Sequence, residues 1–164
     1  WHERATRDAS LNILHRWVPT FAAFAFDKVL VGNNQGSEIL ELSLNNYEEW
    51  DGRPIVRIRQ SPCYWNDLKT LIHREFQLDL ETGVGLNTGQ GSDPQIMLQY
   101  SDDGGHTWSS EYWRDLGAIG EYRTLVRWRA LGSSRERVYR VTISDPVKVI
   151  MMNARLVAEE SMAR

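Results

Sequence analysis

The sequence predicts an all-β protein, in which a propeller-blade-like meander precedes a β-sandwich or a further blade-like antiparallel sheet. Short β-prone runs separated by turn residues fill most of the 164 positions. Residues 74–80 and 123–129 alternate apolar and polar side chains, as strands with one buried face do. A third alternating run, residues 96–101, leads directly into a hairpin motif at residues 101–108. These three observations predict the fold class.

Residues 1–60 are predicted to form the blade-like meander. The β-prone runs in this part are residues 20–26, 29–32, 39–42 and 54–59. They are separated by residues typical of turns: Asp27-Lys28, residues 33–36 and Asp51-Gly52. Because the chain shows no self-similar repeat, a complete propeller is not expected within it.

Residues 61–158 are predicted to form a second antiparallel β-domain, and residues 159–164 a flexible C-terminal tail. The expected strands are residues 74–80, 96–101, 107–113, 123–129, 138–143 and 147–158. Four glycines between residues 82 and 93 predict an exposed loop. Helical periodicity is confined to residues 65–72 and 156–162.

The hairpin motif fits the Asp-box pattern Ser-x-Asp-x-Gly-x-Thr-Trp at every defined position: Ser101, Asp103, Gly105, Thr107 and Trp108. We expect the aspartate to cap backbone amides of the turn and the glycine to supply a positive φ. The threonine and tryptophan are expected to begin the return strand. The motif is known from sialidases and from many β-proteins without catalytic activity, so it predicts a local shape and no reaction.

Composition limits the function classes. The net charge of −3 argues against a dedicated nucleic-acid-binding protein. The single cysteine, Cys63, excludes an internal disulfide and is expected to be a buried free thiol. The four histidines show no metal-ligand spacing, and no phosphate-binding glycine motif is present. We therefore predict no metal and no cofactor. No apolar run is long enough to span a bilayer, so no membrane partner is predicted.

Two sets of charged residues could suggest glycosidase chemistry. Glu75, Asp79 and Glu81 share one face of the strand at residues 74–80 and its end. We interpret them as a solvated face, salt-bridged to the arginines of residues 123–129. Those arginines, beside Glu121-Tyr122, contain the residue types of a sialidase site. Such a site draws its groups from several blades, whereas these are adjacent in sequence, so no enzyme is predicted.

Five stretches together resemble the tail accessory, or packaged-DNA stabilisation, proteins of short-tailed bacteriophages, also called tail hub or nozzle proteins. The stretches are Trp1-His2-Glu3-Arg4 and residues 77–85, 101–108, 117–123 and 144–148. They span most of the chain in the same order as in that family. The resemblance implies that the chain is the C-terminal part of a longer, propeller-containing protein.

The resemblance implies a structural role in the virion, for a protein made in the bacterial host cytoplasm or encoded by a prophage. Such proteins form a homo-oligomeric ring, usually of six copies, below the portal and its adaptor and next to the distal tail proteins. They close the channel after packaging and conduct double-stranded DNA at ejection. The family brings no catalytic residues and no cofactor.

Within such a ring, the uneven charge distribution predicts a subunit interface. Residues 38–51 carry five acids and no base, whereas residues 114–140 carry seven arginines and three acids. The two stretches would form complementary faces of neighbouring copies in a cyclic interface. The candidate interface residues are Arg123, Arg127, Arg129, Glu48 and Glu49.

Two other functions remain open. The Asp-box and the seven tryptophans also suit a carbohydrate-binding protein, sialidase-like or lectin-like. A nucleic-acid-binding β-domain is the third possibility, which steeply salt-dependent DNA binding would identify.

Overall fold

The computed structural model describes residues 4–7, 14–67 and 69–161, and within these ranges it contains only strands, turns and loops. Every strand pair is antiparallel. The predicted all-β class is therefore confirmed. The chain divides into two compact units, Trp1–Arg53 and Pro54–Arg164.

The first unit contains one strand pair and one three-stranded meander. The strands β1 (Ala5–Arg7) and β2 (Leu14–Arg16) pair with each other. The meander follows in the order β3 (Pro19–Ala25), β4 (Lys28–Asn33) and β5 (Ile39–Leu42). These three strands lie within one or two residues of the predicted runs, because apolar runs between turn signals are a strong local pattern. The assignment of this meander to a propeller stays a prediction.

The hairpin turn between β3 and β4 lies one residue earlier than predicted. Ala25 pairs with Lys28, so Phe26 and Asp27 form a two-residue loop. Both have positive φ, 55° and 58°, as a type I′ turn requires. Aspartate tolerates this conformation, but phenylalanine rarely adopts it, and the Phe26 side chain is 90 % exposed.

The second unit is built from two sheets. The first has the order β10 (Tyr112–Asp115), β9 (Gln95–Ser101), β13 (Glu136–Ile143) and β6 (Arg57–Gln60), with β7 (Tyr64–Trp65) also paired to β13. In the second sheet the central strand is β8 (Leu71–Leu80). It pairs with β11 (Val126–Arg129), β12 (Ser133–Ser134) and β14 (Met151–Glu160).

Apolar side chains from both sheets form one core. The central strands contribute Ile96 and Leu98 from β9 and Phe76 and Leu78 from β8, all less than 10 % exposed. The rings of Phe76 and Tyr139 stack at 4.7 Å between centroids and join β8 to β13. Along β8 and β9, buried residues alternate with half-buried or exposed ones, which leaves the opposite face of each sheet for polar contacts.

The predicted domain boundary and several predicted segments differ from the structure. The boundary lies after Arg53 rather than after residue 60, because β6 pairs with β13. Neither helical signal corresponds to a helix in the described residues: residues 65, 71 and 72 belong to β7 and β8, and residues 156–160 belong to β14. Residues 68 and 162 of these two segments lie outside the described residues. The strand β14 includes the first two residues of the predicted tail, and the Ser161 amide donates to the Thr70 carbonyl (2.8 Å). Residues 162–164 lie outside the described residues. The Cys63 thiol is exposed, so its predicted burial is also wrong.

Candidate functional site

The Asp-box residues form a tight network of hydrogen bonds at the end of β9. The Ser101 hydroxyl donates to the Asp103 carboxylate (2.6 Å) and accepts from the Gly105 amide (2.8 Å). The same carboxylate accepts from the Thr107 amide (2.9 Å) and hydroxyl (2.6 Å). The Ser101 and Thr107 hydrogen bonds hold the pKa of Asp103 well below its usual range. The aspartate thus caps the turn as its position in the motif predicts.

Two features of the turn differ from the expected hairpin. Residues 107–111 lie in the connection, so the return strand β10 begins at Tyr112. The Trp108 ring is half-buried and lies under the Arg140 guanidinium, 3.7 Å from its centroid. Between the turn and β10, the Ser109 amide donates to the Tyr100 carbonyl (2.8 Å), which is a single backbone contact with β9 before the continuous pairing starts. The Asp-box hydrogen bonds fix the conformation of the turn, and its hydroxyl and carboxylate groups bind one another.

Replacing Asp103 with alanine is expected to loosen this turn while leaving the fold intact. The variant removes the acceptor of the Thr107 amide, whose hydrogen exchange should become faster. Exchange measured residue by residue by NMR checks this, with Asp93→Ala, an exposed loop carboxylate, as the matched control. Unchanged protection of the Thr107 amide would show that the aspartate does not hold the turn.

An ion pair between a buried arginine and a partly exposed aspartate lies next to the Asp-box. Arg137 is 2 % exposed, and its Nε and Nη2 donate to the two Asp102 oxygens at 2.5 and 2.7 Å. Its Nη1 donates to the Leu131 carbonyl (2.5 Å), and its guanidinium lies 4.0 Å from the centre of the Tyr100 ring. Burial alone would lower the pKa of Arg137, but the hydrogen bonds and the charge of Asp102 act against it, and the pKa is raised. This pair was missed, although an arginine among the apolar residues of β13 is the signal that could have found it.

His73 is the second buried polar residue that the sequence did not indicate. It is 1 % exposed, and its ring nitrogens contact the Ser134 hydroxyl (2.9 Å) and the Tyr139 hydroxyl (2.8 Å). Burial, with the nearby Arg137 charge, lowers the pKa of His73 to about 4. Burial also raises the pKa of Tyr139 to about 12. The imidazole is thus a neutral structural link between β8, β12 and β13.

The predicted arginines lie on or near the solvent face of the second sheet. Arg129 donates from Nε to Glu75 (2.8 Å), and this hydrogen bond lowers the pKa of Glu75. Arg127 on β11 and Arg155 on β14 both lie opposite Gln77 of the central strand β8. Arg123 is exposed in the loop before β11. Arg155 was missed because the register of β14 cannot be read from the sequence.

The carboxylates predicted to form a salt-bridged face do so in part. Besides the Glu75 pair, Glu81 contacts the Lys148 ammonium at 2.9 Å. Asp79 is exposed on β8. These contacts fit the interpretation of an electrostatic surface rather than of a catalytic carboxylate pair.

The predicted acidic residues belong to the first unit. Glu48 is exposed, and Glu49 is half-buried, with its pKa raised by burial and by Asp51. The other acids of this stretch have partners: Glu38 contacts Asn33, Glu41 pairs with Lys28, and Asp51 pairs with Arg53. Glu48 and Glu49 are therefore the carboxylates of the stretch whose oxygens accept no hydrogen bond from a described residue.

No cofactor site emerges from the described residues. Across residues 4–7, 14–67 and 69–161, no group of three or more histidine, cysteine, aspartate or glutamate side chains could hold a metal ion. A shallow depression of about 570 Å³ is lined by Cys63, Trp65, Asp102, Arg135 and Glu136. In the described part of the chain, no helix could span a membrane.

Comparison with protein families gives one match that covers nearly all of the second unit. Residues 56–159 match the family model described as bacteriophage P22 Gp10, beta-sandwich. The search of curated proteins gives no match. The matched segment is more than half of the chain, and it begins one residue before β6 and ends one residue before the end of β14.

Proposed function

The chain belongs to the bacteriophage P22 Gp10 beta-sandwich family, and from that membership we propose that it is a tail hub or nozzle component of a short-tailed phage. In this role it assembles below the portal and adaptor, closes the DNA channel after packaging and conducts DNA at ejection. It stabilises packaged DNA as an assembly protein in the virion, not as an enzyme. The observation that carries the proposal is the family match across the two-sheet unit.

The physical properties of the chain support this role. The polar groups of the Asp-box and the buried His73 and Arg137 are engaged in hydrogen bonds that hold the fold. The net charge of −3 also suits a channel component, because DNA must slide past it without binding tightly.

Reconstitution with phage heads tests the proposed role. DNA-filled heads that carry portal and adaptor but lack this protein are mixed with increasing amounts of it and sedimented. Saturable co-sedimentation together with retained DNA is the expected result. Heads without portal serve as the control for nonspecific adsorption. Failure to bind the portal-bearing heads would overturn the hub proposal.

We further propose that copies associate in a ring through complementary charged surfaces. The basic surface comprises Arg123, Arg127 and Arg155, whose guanidinium groups donate to no described residue. The acidic surface comprises Glu48 and Glu49. The acidic surface belongs to the first unit and the basic surface to the second, and in the proposed ring the acidic surface of one copy contacts the basic surface of the next.

Reversing two charges of the basic surface is expected to weaken ring assembly. The double variant Arg127→Glu/Arg155→Glu replaces attraction with repulsion, and we expect about tenfold weaker association, measured by sedimentation velocity. Arg135→Glu, an exposed arginine between β12 and β13, is the matched control. Adding Glu48→Arg/Glu49→Arg to the double variant should restore association. Unchanged assembly of the double variant would show that this surface is not the interface.

A further inference from the structure

The outer face of the first sheet of the second unit carries a row of side chains that crosses four strands, and we call this row, with the row on each side of it, the trough. Register places Trp113, Met97, Thr142 and Ile58 in one row, from β10 through β9 and β13 to β6. Trp113 and Ile58, at the two ends of the row, are 44 % and 48 % exposed. Met97 and Thr142 between them are half-buried and form the floor. Four strands give the row a length of about 14 Å.

One rim of the trough consists of planar polar side chains held in place by each other. The next row along the strands contains Gln99, Arg140 and Gln60. Arg140 Nη2 donates to Gln99 Oε1 (2.7 Å), and Gln99 Nε2 donates to the Ser109 carbonyl (3.2 Å). The Trp108 ring of the Asp-box supports the Arg140 guanidinium from one side. Arg140 and Gln99 are therefore preorganised, whereas the exposed Gln60 amide has no hydrogen bond to a described residue.

The opposite rim carries one amide and one carboxylate. Gln95 Nε2 donates to Asp115 Oδ1 (2.9 Å), and the second carboxylate oxygen accepts no hydrogen bond from a described residue. The Arg140 and Asp115 charges on the two rims balance each other. The trough therefore complements an uncharged ligand that is rich in donors and acceptors.

We propose that this trough binds a neutral polysaccharide chain, with Trp113 stacking on a sugar ring and the two rims hydrogen-bonding its hydroxyl groups. A pyranose ring has an apolar face of C–H groups and an edge of hydroxyls, which matches an aromatic platform beside planar amide, guanidinium and carboxylate groups. Nucleic acid would require a basic surface. A protein partner would favour a continuous apolar patch, whereas here the exposed apolar side chains stand at opposite ends of the row.

Affinity electrophoresis tests the proposal on the whole chain. Native gels are cast with one of three soluble neutral polysaccharides: O-polysaccharide released from a bacterial lipopolysaccharide, dextran or galactomannan. We expect at least one of them to retard the protein. Trp113→Ala should weaken the apparent affinity by about tenfold, because it removes the stacking platform. Gln60→Ala, at an exposed side chain whose loss should not perturb the fold, should weaken it as well.

Trp65→Ala is the matched control, because Trp65 is 60 % exposed on β7 and lies outside the trough row. This variant should bind like the unchanged protein. Retardation by none of the three polysaccharides would overturn the proposal, as would full retardation of folded Trp113→Ala. A concentration-dependent change in tryptophan fluorescence without sugar that is absent in Trp113→Ala would show that a second copy covers the face, and it would also overturn the proposal. These outcomes do not depend on binding to phage heads, so the proposed tail role is tested separately.

Discussion

Replacing Asp102 with alanine is expected to lower the free energy of unfolding by about 3 kcal/mol, because it leaves a buried guanidinium without its counter-charge. Arg137 is 2 % exposed, so water can reach the abandoned charge only through the space that the Asp102 carboxylate vacates. The Asp102 side chain is 42 % exposed, and this partial solvation places the expected loss at the lower end of the range for buried pairs. Urea unfolding at neutral pH measures it.

The comparison variants separate the buried charge from the general loss of a carboxylate. Asp93→Ala removes an exposed loop carboxylate and should change the free energy of unfolding by less than about 0.5 kcal/mol. The double variant Asp102→Ala/Arg137→Met removes both charges and should recover part of the lost stability. If Asp102→Ala unfolds at the same urea concentration as the unchanged protein, the ion pair does not stabilise this fold.

Local patterns in the sequence predicted much of the fold. Alternation in residues 74–80 placed Phe76 and Leu78 in the core, as the structure shows. The turn signals of the first unit gave three strands to within one or two residues. Such features depend on neighbouring residues alone, because side chains alternate along a strand whatever its partners are.

Features that depend on pairing between distant strands could not be predicted. The unit boundary was misplaced because the pairing of β6 with β13 joins residues about eighty positions apart. Arg155 lies in the row of Arg127 only because β14 pairs with β8 in one particular register. The trough row is likewise assembled from four strands. Register is set by the complete sheet, and a slip of one residue would turn each side chain to the other face.

The buried polar residues escaped prediction for a different reason. His73 and Arg137 occupy positions where the strand pattern expects apolar side chains. Their burial is tolerated because each has hydrogen-bond partners that are distant in sequence or in another segment, on β12 and β13 for His73 and in the connections after β9 and β11 for Arg137. Those partners are visible only in the folded structure. Both residues lie beside Tyr139, so one network joins the Asp-box end of the first sheet to β8.

The stability of this protein is expected to fall as the pH decreases from about 6.5 to about 4, owing to His73. Its pKa is lowered to about 4 in the folded state, against 6.5 for an exposed histidine. Above pH 6.5 the imidazole is neutral in both states, so its contribution is fully present. Between these values the unfolded chain binds a proton that the folded protein does not bind. Stability is therefore lost toward acid, by up to about 1.4 kcal/mol per pH unit.

The physical cause is the closed environment of the ring. A neutral imidazole satisfies both contacts, with one nitrogen donating and the other accepting, between the Ser134 and Tyr139 hydroxyls. A protonated ring would add a buried positive charge close to Arg137.

His73→Gln keeps hydrogen-bonding capacity but does not titrate, so its stability should depend less on pH over this range. Urea unfolding between pH 4.5 and 7.5 measures the difference, and His106→Gln, at an exposed histidine, should retain the full dependence. Parallel pH profiles for His73→Gln and the unchanged protein would contradict this assignment, because carboxylates would then account for the whole acid sensitivity.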